Sequence, residues 1–123
     1  MGEFVGLPEG GKQGPVPTAW RKALKEIVRA IAARDATFSG CSVPVEAPSL
    51  HKSWRIIDEM GVSLAELPDE TWSSSVCIRS FDEWDVIIDL YDVTQGRTDL
   101  ILPAKIKEGS DGIRVTLDMI HVP

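Results

Sequence analysis

The 123-residue chain is 43% hydrophobic and 26% charged, a composition typical of an ordinary globular domain and not of a disordered segment. Its net charge of −6 disfavours nucleic acid as a partner, because the phosphate backbone is bound by clusters of Lys and Arg. No apolar run approaches the roughly 18 residues of a membrane span and no signal peptide is recognisable, so a cytoplasmic protein is predicted.

Residues 1–16 are rich in glycine and proline and carry few side chains that a core could bury. Such a composition does not offset the conformational entropy that is lost when a segment becomes ordered. We therefore predict a flexible N-terminal lead over residues 1–16, followed by a single domain over residues 17–123.

Two helices are predicted next, separated by a loop over residues 35–48. The first runs from Thr18 to Ala33, with apolar side chains at helical spacing at Trp20, Leu24, Ile27 and Ile31. The second follows Ser49, a residue type preferred at helix N-caps, and its apolar side chains are Leu50, Trp54, Ile57 and Met60. Gly61 then stands where a helix needs a left-handed residue after its C-terminus.

After Trp72 the apolar spacing changes from 3.6 to 2 residues, which predicts β-strands. Four runs follow, and one face of each is apolar: Val76 and Ile78; Trp84, Val86, Ile88 and Leu90; Leu100, Leu102, Ala104 and Ile106; Ile113, Val115, Leu117 and Met119. Short polar or glycine-bearing turns join the runs, as in β-hairpins. The predicted fold is α+β, with two helices packed on one face of a four-stranded antiparallel sheet and both helices preceding the strands.

Pro103 conflicts with the simplest strand order. It lies inside the third predicted strand, which a meander would place in the middle of the sheet, and proline there removes a hydrogen-bond donor from the ladder. Either the third strand lies at an edge of the sheet, or it bulges near Pro103.

The C-terminal block resembles a known family in its sequence. The matching segments are Trp72-Ser73-Ser74-Ser75-Val76, Trp84-Asp85-Val86-Ile87-Ile88-Asp89-Leu90, Gly96-Arg97-Thr98-Asp99-Leu100 and Met119-Ile120-His121-Val122-Pro123. They resemble a family of small bacterial proteins known only as a domain of unknown function. The resemblance implies a bacterial, cytosolic α+β domain and carries no catalytic or binding residue with it.

The residue types that usually carry chemistry are widely scattered. Cys41, His51, Cys77 and His121 match the ligand set of a zinc site by type, but no two of them have the close spacing that places two donors on one metal. No glycine pattern of a phosphate loop or a nucleophile elbow accompanies the serine run before the first strand. The sequence therefore predicts no metal, no cofactor and no catalytic residue.

The face of the sheet that turns away from the helices is the most informative surface. By alternation it carries Asp85, Ile87, Asp89, Tyr91, Asp99, Ile101, Lys105, Arg114, Thr116, Asp118 and Ile120. A solvated antiparallel sheet has a similar composition and needs no function. The functional interpretation is a surface on which carboxylates attract a basic protein and apolar side chains pack against it. Its predicted contact residues are Asp85, Ile87, Asp89, Tyr91, Asp99, Ile101, Asp118 and Ile120.

The charge distribution favours this interpretation, since residues 66–123 hold 5 Lys/Arg against 12 Asp/Glu. We therefore predict a non-catalytic protein-interaction domain, most concretely an immunity-type inhibitor of a basic toxin or nuclease. Two alternatives stay open. A ligand-binding or enzymatic domain would place its pocket between the helices and the sheet, lined by Trp20, Trp54, Trp72 and Trp84. A homodimer would bury the outward face of the sheet against a second copy.

Overall fold

The computed structural model describes residues 13–123. Its elements are β1 (Gln13–Pro15), α1 (Thr18–Ala32), β2 (Val45–Glu46), α2 (Leu50–Glu59), a 3₁₀ helix (Asp69–Ser73), β3 (Val76–Ser80), β4 (Glu83–Asp92), β5 (Gly96–Gly109) and β6 (Gly112–Leu117). The fold is α+β, as predicted. Neither α1 nor α2 is long and apolar enough to cross a membrane.

Within residues 13–123 the sheet has six strands and not the predicted four. Their order is β1-β3-β4-β5-β6-β2, and the sheet is mixed because β2 runs parallel to β6 while every other pair is antiparallel. The two additional strands are the short edges, of three and two residues. They also change the predicted order, since β1 precedes α1 and β2 lies between the helices.

The boundary of the predicted N-terminal lead differs from the structure at its last residues. Residues 1–12 lie outside the described residues, so the prediction for them is not addressed. Residues 13–15 pair with β3, and Val16 is only 1% exposed within the core. The sheet therefore extends into the segment that composition alone assigns to a flexible lead.

Both helices pack on the same side of the sheet, as their apolar spacing predicts. One core cluster contains the buried faces of α1 and α2 together with the inward side chains of β4, β5 and β6. Trp54 on α2 donates its indole N–H to the carbonyl oxygen of Ile31 at 3.0 Å, which joins the two helices inside the core. Gly61 has φ of 67° after α2, so the predicted left-handed C-terminal residue is confirmed.

The first predicted strand turns the opposite face inward. Cys77 is 1% exposed and lies opposite Val86 of β4, whereas Val76 and Ile78 are partly exposed on the other side. The assignment of Val76 and Ile78 to the core face was therefore wrong. Three consecutive apolar side chains fit either face, so alternation could not decide between them.

Pro103 lies in a central strand beside a bulge. β5 pairs with β6 as far as Ala104 opposite Leu117, but further along Ile101 lies opposite His121. The chain after Leu117 thus holds one more residue than β5 over the same stretch, which is a β-bulge. Ile101 exchanges both backbone hydrogen bonds with His121. Pro103 lies two residues after Ile101 on β5, so its backbone nitrogen points towards the same neighbouring segment as that of Ile101. Its missing N–H therefore falls where the bulge already interrupts the ladder.

The bulge reverses the orientation of Ile120. A shift of one residue exchanges the two faces of a strand. Ile120 is 0% exposed within the core, and its backbone N–H donates to the hydroxyl oxygen of Ser53 on α2 at 2.9 Å. The prediction that Ile120 lies on the outward face was therefore wrong.

Candidate interaction surface

The side of the sheet turned away from the helices, here called the outer face, carries a continuous apolar row. Strand register places Pro15 opposite Val76, Val76 opposite Ile87, and Ile87 opposite Pro103. Pro15 is exposed and the other three are partly exposed. These four residues, the apolar row, lie on four neighbouring strands and span about 15 Å at the usual strand spacing of about 4.8 Å.

Next to the apolar row, the outer face carries paired charges. The ammonium nitrogen of Lys105 on β5 lies 2.7 Å from a carboxylate oxygen of Asp85 on β4, and 3.8 Å from one of Glu83. The hydrogen bond that Lys105 donates to the Asp85 carboxylate raises the pKa of the Lys105 ammonium above its usual value. Arg97 of β5 lies 3.2 Å from the carboxylate of Asp89. The predicted acidic face is thus a mixed one, on which two of the aspartates are already paired with cations.

Asp89 is a buried part of the fold and not a free surface carboxylate. It is 9% exposed, and its Oδ2 accepts a hydrogen bond from the Ser74 hydroxyl as well as the ion pair with Arg97. Its backbone N–H donates to Ser75 Oγ at 3.0 Å, and its carbonyl oxygen accepts from Thr71 Oγ1 at 2.7 Å. These side chains, which precede β3 in the chain, bond to β4 just beyond the point where β3 begins. This role explains the polar run before β3.

The other predicted contact residues divide by exposure. Asp99 and Asp118 are exposed, and Asp85 and Ile87 are partly exposed. Tyr91 and Ile101 are 7% and 8% exposed, so each offers a partner little surface. Burial raises the pKa of the Tyr91 hydroxyl, and the nearby Glu70 carboxylate raises it further.

Sequence reasoning did not assign Pro15, Val76, Ile78 or Pro103 to this surface. Pro15 belongs to an edge strand of three residues that periodicity cannot detect. Val76 and Ile78 flank the apolar Cys77, so their face was ambiguous. Pro103 interrupts the expected ladder, which does not by itself place its ring on a face. The sequence signal for this part of the sheet is the proline itself. Proline has no backbone N–H to donate, and a sheet tolerates that loss where a neighbouring strand bulges.

The surroundings of both cysteines disfavour the thiolate form. Burial raises the pKa of Cys77 to about 12, and the carboxylates of Asp85 and Glu108 raise it further. Burial likewise raises the pKa of Cys41, which is partly exposed. The ring of His121 is bound to its own segment, with Nδ1 3.0 Å from the carbonyl oxygen of Met119.

All four tryptophans named in the ligand-binding alternative pack in the core. They are between 3% and 9% exposed, and the rings of Trp20 and Trp84 meet edge to face with their centroids 5.8 Å apart. Trp72 also borders a surface groove of about 690 Å³ along α1, where the Arg21 guanidinium lies 5.3 Å from its ring centroid. Two of the basic side chains in this groove are already paired, Lys25 with Asp69 and Arg29 with Glu66.

A family model described as a domain of unknown function, DUF7668, matches residues 25–123. The chain belongs to the DUF7668 family. No curated protein and no solved structure matches the chain.

The DUF7668 match begins inside α1 and includes both β2 and α2 as well as β3 to β6. It is therefore wider than the C-terminal block on which the sequence resemblance rested. Three of the four residues of the apolar row lie within it, and Pro15 of β1 lies outside it.

Proposed function

We propose that this protein is a non-catalytic interaction domain that binds another protein through the outer face of its sheet. The observation that supports this proposal most directly is the apolar row, in which Pro15, Val76, Ile87 and Pro103 are cross-strand neighbours with side chains at least partly exposed. Isolated apolar side chains on a surface need no explanation, but a contiguous group rimmed by polar residues is typical of a binding site.

The groups nearest to the outer face favour binding over catalysis. The Ser74 hydroxyl donates to Asp89, and Asp89 is also held by Arg97. Cys77 points into the core as a neutral thiol, since its pKa is about 12. A nucleophile needs an adjacent base that can accept its proton, whereas these groups are engaged in holding β3 and β4 together.

The nature of the partner follows from the charges around the apolar row. An immunity-type inhibitor of a basic toxin or nuclease would use the exposed carboxylates of Asp99 and Asp118, and the net charge of −6 would attract such a partner. The cations Lys105 and Arg97 oppose this form of the function, since each already lies against an aspartate on the same face.

The experiment is photo-cross-linking in living cells of the source organism. A photoreactive phenylalanine analogue is incorporated at Ile87, which is partly exposed in the apolar row, and in a matched variant at Lys52, which is exposed on α2. We expect a discrete, light-dependent protein adduct from position 87 and none from position 52. The proposal fails if position 87 gives no adduct, or if both positions give the same ones.

A further inference from the structure

The two central strands carry largely opposite charges on the outer face. β4 contributes the carboxylates of Glu83, Asp85 and the buried Asp89, whereas β5 contributes the cations Arg97, Lys105 and Lys107 together with one exposed carboxylate, Asp99. Within one chain these side chains pair across the seam between the strands, at 2.7 Å for Lys105 with Asp85 and at 3.2 Å for Arg97 with Asp89. Each pair leaves part of its charge towards solvent, because Lys105 and Arg97 are more than half exposed at their side chains.

This arrangement is self-complementary under one kind of two-fold rotation. Identical sheets that pack face to face with nearly aligned strands are related by a two-fold axis lying between them. If the axis runs along the β4–β5 seam, each β4 lies over the other chain's β5. Asp85 then faces the partner's Lys105, and Ile87 of the apolar row faces the partner's Pro103.

The other aligned arrangement is disfavoured by the same charges. If the axis runs across the strands, β4 lies over the other chain's β4 and β5 over its β5. The carboxylates of Glu83 and Asp85 then face the acidic strand of the second chain, and Lys105 faces the basic one. Like charges facing each other in a partly desolvated contact are repulsive, so the charge pattern selects the axis along the seam.

We infer that the protein bound by the outer face is a second copy of this chain, related to the first by a two-fold axis along the β4–β5 seam. This inference rests on the proposed function, namely that the outer face is a protein-binding surface. The strands β1 to β6 hold 3, 2, 5, 10, 14 and 6 residues, which at about 3.3 Å per residue and about 4.8 Å between strands give a face of about 600 Å². A standard interface buries roughly 800 Å² on each partner.

The test uses a double charge reversal, Asp85→Lys with Lys105→Asp. This variant keeps an ion pair within the chain and, in a dimer with itself, keeps opposite charges across the interface. In a mixed dimer with the wild-type chain, Asp faces Asp and Lys faces Lys. We expect wild type and variant each to have twice the chain mass of 13.5 kDa by light scattering. Because the double reversal leaves the chain mass unchanged, the variant is first labelled with ¹⁵N. When labelled variant and unlabelled wild type are mixed and equilibrated, native mass spectrometry should show mixed dimers well below the statistical half.

A second pair of variants keeps the test decisive if the double reversal does not fold. Asp85→Lys alone and Lys105→Asp alone should each weaken dimerisation, and an equimolar mixture should restore it as a mixed dimer. A wild-type monomer at every concentration, or mixed dimers at the statistical half, would overturn the inference. A monomer that cross-links from position 87 to a different protein would overturn the inference and leave the proposed function standing. A dimer unaffected by Ile87→Asp would place the dimer contact elsewhere and would likewise overturn the inference.

Discussion

Replacing Ile120 by alanine tests the bulge that separates the structure from simple strand alternation. Ile120 is 0% exposed in the core, next to the Ser53 hydroxyl that accepts its backbone N–H. The substitution removes three buried carbon atoms, worth about 0.8 kcal/mol each for transfer from water. The unfilled cavity adds to this cost, and buried Ile→Ala changes range over roughly 2–5 kcal/mol. We expect Ile120→Ala to lower the free energy of unfolding by about 3 kcal/mol.

The assay is urea unfolding followed by tryptophan fluorescence and by far-ultraviolet circular dichroism, at one fixed protein concentration. Ile56→Ala is the matched control, because Ile56 is only partly buried on α2 and alanine is a good helix former. Ile56→Ala should lower the free energy of unfolding by less than half as much as Ile120→Ala. In both variants the slope of that free energy against urea concentration should equal the wild-type slope. If Ile120→Ala costs no more than the control, Ile120 lies on the outer face and the bulge beside Pro103 is absent.

Three further outcomes are expected. Backbone hydrogen bonds from residues 63, 94 and 95 lower the pKa of Asp92 to about 2, so its stabilising effect should be present above the unfolded pKa of 3.8 and be lost as the pH falls towards about 2. In urea titrations across this range, Asp92→Asn should lose less stability than wild type on acidification; an equal loss would contradict the assignment. Gly61→Ala should cost about 1 kcal/mol in thermal unfolding because φ is 67°, whereas Gly40→Ala should be nearly neutral. A disulfide reagent at neutral pH should label Cys41 in the folded protein and Cys77 only after unfolding, and equal labelling of both would show that Cys77 is accessible.

The parts of the fold with long, regular periodicity could be predicted from the sequence. The helices begin and end within about a residue of the predicted positions, and all three hairpins join the expected strands. β1 and β2 were missed because their two or three residues are too few to show a period. Both are fixed by distant partners instead, Gly14 by Cys77 and Val45 by Val115.

The candidate surface could be predicted only in part, because it depends on contacts between distant segments. Alternation correctly turned Asp85 and Ile87 away from the helices. It could not anticipate that Lys105 neutralises Asp85, or that the segment before β3 buries Asp89. The face on which each side chain after Leu117 lies depends on one inserted residue, and no local sequence pattern reveals that residue.

The contact between two copies across the β4–β5 seam can be observed directly by nuclear magnetic resonance. A dimer is assembled from one isotope-labelled and one unlabelled chain, and an isotope-filtered spectrum then records only contacts between chains. Contacts from the Ile87 methyl groups to the ring of the partner's Pro103 are predicted. Ile87 and Pro103 are cross-strand neighbours within each chain, and a two-fold axis along the seam between them places each over the other in the second chain. A dimer whose contacts between chains join only helix residues, or a sample that shows none and has the mass of one chain, would contradict this prediction.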